Sequence, residues 1–118
     1  MSTRRTPPPP PPTLSQIDLL ALVAIARLGP EAYGVSIRDE IIRVTTREIS
    51  MAATYAALDR LERAALIDAS LSAPRPERGG RARRQFQLTA TGRATLQHER
   101  DLTARLWRGV SLDAGVES

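Results

Sequence analysis

Five arginines fall within residues 75–86, RPERGGRARRQF, around a Gly-Gly pair and one glutamate. A guanidinium is a planar, permanently charged fork that matches the oxygens of a phosphate. All the chain's cationic side chains are of this kind: it has seventeen arginines and no lysine, with a formal net charge of +4 over 118 residues. The groups needed for catalysis are scarce by comparison. There is one histidine, His98, and no cysteine, so no nucleophile–base pair and no thiolate metal site can be assembled. His98 has no second ligand in view and reads as an exposed helix residue rather than a metal site. GGRAR lacks the Lys-Ser/Thr and the following helix of a phosphate loop. The chemistry on offer is therefore the binding of a polyanion, with no cofactor expected. A loop this charged is equally at home in solvent, so the elements around it must decide.

Length and composition suit one small domain with an aliphatic core, since only four residues are aromatic. Residues 1–12, MSTRRTPPPPPP, favour extended polyproline and are expected to be a disordered leader. A helix then starts at Thr13 or Ser15, since Thr13-x-x-Gln16 and Ser15-x-x-Asp18 both fit a capping box, and Gly29-Pro30 stops it. Its run LLALVAIA, residues 19–26, is too short to span a bilayer. The helix is nearly all apolar and should be the buried central one, and the chain reads as cytoplasmic with no membrane partner. A second helix is expected from Tyr33 to Val44, with Ile37, Ile41 and Val44 facing inward. TTREIS, residues 45–50, is a connector with a single bridge at Glu48-Ile49.

Ser50 is placed to cap a third helix over residues 51–65. Met51, Tyr55, Leu58 and Leu61 mark its expected inward face. Ala52, Ala53, Thr54 and Ala57 form a small-residue face near its start, and Asp59, Arg60, Glu62 and Arg63 follow as charged surface. LIDASL (66–71) and QFQLT (85–89) read as two strands joined by the arginine-rich loop. A fourth helix covers 89–110, with Leu96, Leu102, Leu106, Val110 and Trp107, and residues 111–118 form a frayed tail.

Three helices followed by a two-stranded hairpin is the layout of a winged helix-turn-helix, a mainly α fold with a small β-hairpin. In it the third helix enters the major groove by its leading turn and the hairpin is the wing. The Gly-Gly allows the turn, and the arginines lie along the phosphates. Three stretches, LGPEAYGVSIRDEI, ISMAATYAALDRLERAALI and GGRARRQFQLTATGR, resemble the PadR family of transcriptional regulators. The shared features are Tyr33-Gly34, then Tyr55 with Leu58, Leu61 and Leu66, then Phe86, Leu88, Thr89 and Gly92. The resemblance covers residues from about 14 to 96. Ala32 and Ala65 stand where the family often has glycine; a positive φ at Ala65 would cost stability unless the turn is reshaped. Ala52-Ala53 replace a longer side chain or Pro-Gly.

The resemblance implies a dimeric DNA-binding regulator, a repressor, without enzymatic activity. Residues 13–90 would form the DNA-binding domain and 91–110 a dimerisation helix. Tyr55 either donates its hydroxyl to a phosphate or belongs to the core. Thr54 could meet a thymine methyl or a phosphate, and Ala52 and Ala53 could lie against thymine methyls; helix propensity explains them equally well. Arg60 is a phosphate contact or part of a solvated charged face. Tyr33 reads as a packing residue. In the wing, Arg78, Arg81, Arg83 and Arg84 are the phosphate ligands. Arg84 shares the side of Phe86, which leaves Arg81 and Arg83 the better placed. Leu96, Leu102, Leu106 and Trp107 are expected to bury a homodimer interface, with Trp107 either an interface anchor or a platform for a small-molecule effector. The alternative function is a winged-helix module that binds a protein partner.

Overall fold

A computed structural model describes residues 14–71 and 83–113. Ser15 begins the first helix, α1 (Gln16–Leu28), by accepting the Asp18 N–H on its Oγ at 3.2 Å. Gly29, at φ 57°, ends it, and Pro30 opens a single 3₁₀ turn over Gly29–Glu31. α2 (Gly34–Thr45) follows, then α3 (Met51–Arg63), capped by Ser50 through the Ala53 N–H. Strands β1 (Ile67–Leu71) and β2 (Arg84–Leu88) form an antiparallel pair, and α4 (Ala90–Trp107) closes the order. The chain is thus mainly helical with one small hairpin.

α1 is central, touching α2, α3, α4 and β2. It buries Ala21, Leu22, Ala24 and Ile25 against Ile37 and Ile41 of α2, Leu58 and Leu61 of α3, and Phe86 of β2. Val44, expected inward, is exposed instead; beyond Ile41 the half-buried positions of α2 are Ile42 and Thr45, on either side of it. Arg27 of α1 and Arg43 both bond Glu40 of α2, at 2.7 Å each. The Arg43 hydrogen bond, and then that of Arg27, hold the Glu40 carboxyl down at about 2.

Across the strands Ile67 lies opposite Leu88, and Ala69 opposite Phe86. That face turns inward, and the Phe86 ring is fully buried; burying a side chain of this size stabilises by about 3 kcal/mol. The Phe86 N–H donates to Ala32 O at 2.8 Å, and Tyr33 bridges Gln85, so the segment before α2 adds a single antiparallel bridge to the second edge of β2. The bridge expected at Glu48-Ile49 is not formed there. Ile49 is buried as an anchor for the connector, and its carbonyl accepts from Arg38 Nε at 2.7 Å.

The turn after α3 is not reshaped: Ala65 sits at φ 59°. Its N–H bonds Glu62 O and the Leu66 N–H bonds Leu61 O, each at 3.0 Å, the pattern that favours glycine at this position. A left-handed non-glycine residue costs about 1–2 kcal/mol, and glycine's extra freedom in the unfolded chain returns part of that. Ala65→Gly should therefore raise stability by about 0.5–1 kcal/mol, a gain of several degrees in melting temperature. A variant that melts below the wild type would show that this turn is not strained.

Thr89 joins that turn to α4. Its N–H donates to Leu66 O at 3.1 Å, its hydroxyl donates to Ala65 O at 2.8 Å, and the same oxygen accepts the Gly92 N–H at 2.9 Å. The Leu88-Thr89-x-x-Gly92 sequence is thereby a clamp, and Gly92 is needed because α4 lies directly on the Leu66 carbonyl.

Candidate nucleic-acid interface

The face that α3 turns inward consists of Thr54, Ala57, Leu58 and Leu61. This corrects the sequence-based assignment, which put Tyr55 inside and Thr54 outside. Thr54 is 0% exposed and its hydroxyl donates to Ser50 O at 2.9 Å, so it has no path to a groove. Ala57, grouped with the small outer residues, is also buried. Tyr55 is 48% exposed. The reason is fit: Thr54 and Ala57 are small enough to be wholly enclosed between α3 and the rest of the core, where a tyrosine would overfill the space. Hydrophobicity alone favours the opposite rotation.

On the outer side, Ala52, Tyr55, Ala56 and Asp59 are exposed, Met51 is half-buried, and Ala53 is half-buried against the core. Ala56 escaped the sequence reading, although its spacing of four from Ala52 puts both on one side of the helix. Arg60 belongs to neither of its two expected roles. It makes a bidentate pair with Asp18 of α1, Nε at 3.1 Å from both carboxylate oxygens and Nη2 at 2.7 Å from Oδ1. Asp18 is buried, so this pair ties α3 to α1, and its hydrogen bond raises the Arg60 pKa further above the ordinary arginine value. Arg63 pairs with Asp59 at 3.0 Å.

Beside α3, an open cleft of about 560 Å³ lies between the start of α2, Tyr55 and β2. Tyr33 stands in its wall, and the Arg83 guanidinium carbon stacks 4.1 Å from the centre of the Tyr33 ring. Tyr33 thus does more than pack: it orients an arginine at the root of the wing. Tyr55 lies across Gly34 so closely that a Cβ there would stand 2.5 Å from the Tyr55 hydroxyl. Gly34 is therefore a seat for the tyrosine ring. Arg84, one residue along, bonds both Glu62 oxygens, at 2.8 and 3.0 Å, and its guanidinium lies 5.2 Å from the Phe86 ring centre. Arg78 and Arg81 fall outside the described residues.

The residues expected at a dimer interface separate into two groups. Leu96 is half-buried against the domain's own core, whereas Leu102, Leu106 and Trp107 are exposed, Trp107 to 54%. α4 ends at Trp107, so Val110 lies beyond it. Among the described residues no helix is long and apolar enough to cross a membrane.

A three-helix core, an outer side of α3 that exposes Ala52, Tyr55 and Ala56, and an antiparallel hairpin with arginines at its root define a winged helix-turn-helix DNA-binding protein. The family described as "Transcriptional regulator PadR-like family" matches residues 22–98, and the chain belongs to that family. Its role is accordingly transcriptional regulation, and it is not an enzyme. Among solved structures, a PadR family transcription regulator from hypervirulent Clostridium difficile R20291 is 25% identical, with a TM-score of 0.58 over 80% of this chain and 88% of that one. RosR of H. salinarum is 20% identical, with a TM-score of 0.64 over 83% and 81% of the two chains. A PadR-like transcriptional regulator from Bacillus cereus is 19% identical, with a TM-score of 0.59 over 80% and 93%. These last two share the fold. No curated protein matches the chain.

Proposed function

We propose that the protein is a repressor that acts in the cytoplasm as a homodimer on a near-palindromic operator. Each protomer would lay α3 in the major groove, so that two copies occupy successive grooves. The observation that carries this reading is the continuous surface made by Ala52, Tyr55 and Ala56 with the Tyr33–Arg83 stack beside them. Ala52 and Ala56 leave room for a base edge, with Ala53 at the margin. Tyr55 presents its hydroxyl to the backbone, and Arg83 with Arg78 and Arg81 of the loop supply phosphate contacts that position without reading sequence. The exposed outer part of α4 would form the dimer through Leu102, Leu106 and Trp107, with Leu96 at its inner margin. Trp107 offers a planar surface there for a small-molecule effector.

The test is a binding titration on the DNA upstream of the chain's own coding sequence, against random duplex, together with light scattering. Tighter binding to one upstream fragment than to random DNA, by a dimer, is the expected result. Leu106→Asp with Trp107→Ser should give a folded monomer with weakened operator binding, since both side chains face solvent in the single chain. A wild-type chain that discriminates no upstream fragment from random DNA would favour a protein partner instead.

A further inference from the structure

The exposed cations of α3, and Arg84 beside them, each lie against a carboxylate. Arg60 is held by Asp18, Arg63 by Asp59, and Arg84 by Glu62. Two of these pairs are easily accounted for: the first ties α3 to α1, and the second is a one-turn pair on a helix surface. The third differs, because it joins the two elements that flank the DNA, α3 and the wing. Glu62 takes both its oxygens to one Arg84 nitrogen, and the Phe86 ring lies against the same guanidinium. Arg84 sits one residue after Arg83, at the first position of β2, opposite the exposed Leu71. The charge and exposure of Arg84 suit a phosphate contact; among the described residues the Glu62 carboxylate is the charged group that holds it back.

Taking the α3–wing surface as the DNA face, we infer that Glu62 is a positioning residue that keeps Arg84 out of the set of phosphate ligands. It thereby sets how tightly, and with what salt dependence, the protein holds DNA. Phosphate contacts act on every sequence alike, since each releases counterions from the duplex. An unrestrained Arg84 would add one such contact per protomer, strengthening random and operator binding together. Glu62 also places a negative charge near the backbone, which further discourages the contact.

Glu62→Gln removes the charge but keeps the side chain's size. Its slope of log K against log salt should steepen by roughly 0.9 per bound protomer. At about 0.1 M salt the same relation corresponds to up to roughly eightfold tighter binding per added contact, on random and upstream duplexes alike. The double variant Glu62→Gln/Arg84→Ala should return to the wild-type slope; its net charge equals that of the wild type, so the control for a general charge effect is Arg84→Ala alone, which should leave the slope unchanged. Melting followed by circular dichroism checks that each variant is folded, as expected for a pair on the surface. An unchanged slope in Glu62→Gln, or a double variant as steep as the single one, would overturn the inference. So would Arg84→Ala alone if it flattened the slope by one contact per protomer, because Arg84 would then already be on the phosphates. If the wild-type chain binds no DNA in these titrations, the reading of the surface itself fails. If it binds with a slope indifferent to Glu62, only the role of Glu62 fails.

Discussion

Gly92→Ala is expected to lower the melting temperature by roughly 12 °C or more. A methyl built on Gly92 would stand 2.0 Å from the Leu66 carbonyl oxygen and 3.1 Å from its carbon. These are backbone atoms, and no rotamer change can clear them. The same oxygen accepts the Thr89 N–H, and the Gly92 N–H donates to Thr89 Oγ1. Moving α4 outward to admit the methyl therefore strains or breaks the clamp at its start and reopens the packing of Thr95 and Leu96. Overpacking of this kind costs about 1–3 kcal/mol, and a buried carbonyl left without its donor adds about 1–3 more. At 4–8 °C per kcal/mol for a domain this small, a loss near 3 kcal/mol is plain in a thermal scan. Thr91→Ala, one residue away and exposed, is the control and should melt within a few degrees of the wild type. A Gly92→Ala protein that melts with that control would mean α4 does not lie on Leu66.

The second large effect separates two neighbours on α3. Ala52→Glu should reduce affinity for the upstream DNA at least about 100-fold, since a carboxylate facing phosphates costs several kcal/mol. Its melting temperature should hold or rise slightly, because Ala52 is exposed in the first turn, where the helix dipole favours negative charge. Thr54→Glu should behave in the opposite manner. Thr54 is fully buried against the core, so a carboxylate there would be taken out of water and would lose the hydroxyl's bond to Ser50 O. Burying it costs several kcal/mol, a large part of the whole stability of a domain of this size, so the variant should unfold rather than merely lose binding. The measurements are a thermal scan and an anisotropy titration of each protein. Wild-type affinity in Ala52→Glu would remove α3 from the groove; wild-type melting in Thr54→Glu would mean that the helix is turned by about a quarter of its circumference.

How far the amino-acid pattern reaches is clear from these residues. Local signals were enough for element order and for most boundaries. Ser15, Ser50 and Thr89 cap the first, third and fourth helices by short-range hydrogen bonds written into adjacent positions, and Gly29-Pro30 stops α1 by backbone geometry. Alternation also placed Phe86 inward and Arg84 on its side, because a strand has period two and few ways to misplace a lone aromatic. These are properties of a few consecutive residues, and they survive in any tertiary setting.

The rotation of α3 was different. Along that helix two stripes compete: one contains Met51, Tyr55, Leu58 and Leu61, the other Thr54, Ala57 and the same two leucines. Transfer free energy favours the first. The second wins because the packed core leaves room at 54 and 57 only for small side chains; that space belongs to the assembled helices and not to any one segment of sequence. For the same reason the ionic partners could not be read in advance. Asp18 and Arg60 lie 42 residues apart, and Glu62 and Arg84 lie 22 apart; each carboxylate had a nearer arginine in sequence. The sequence by itself determined a winged helix-turn-helix with a basic wing, because capping, periodicity and turn chemistry act over a few residues. Which side of α3 is left exposed, and which arginines are held by a carboxylate among the described residues, only the tertiary structure decided, because the fit of helix against helix and long-range charge pairing exist only once the chain is packed.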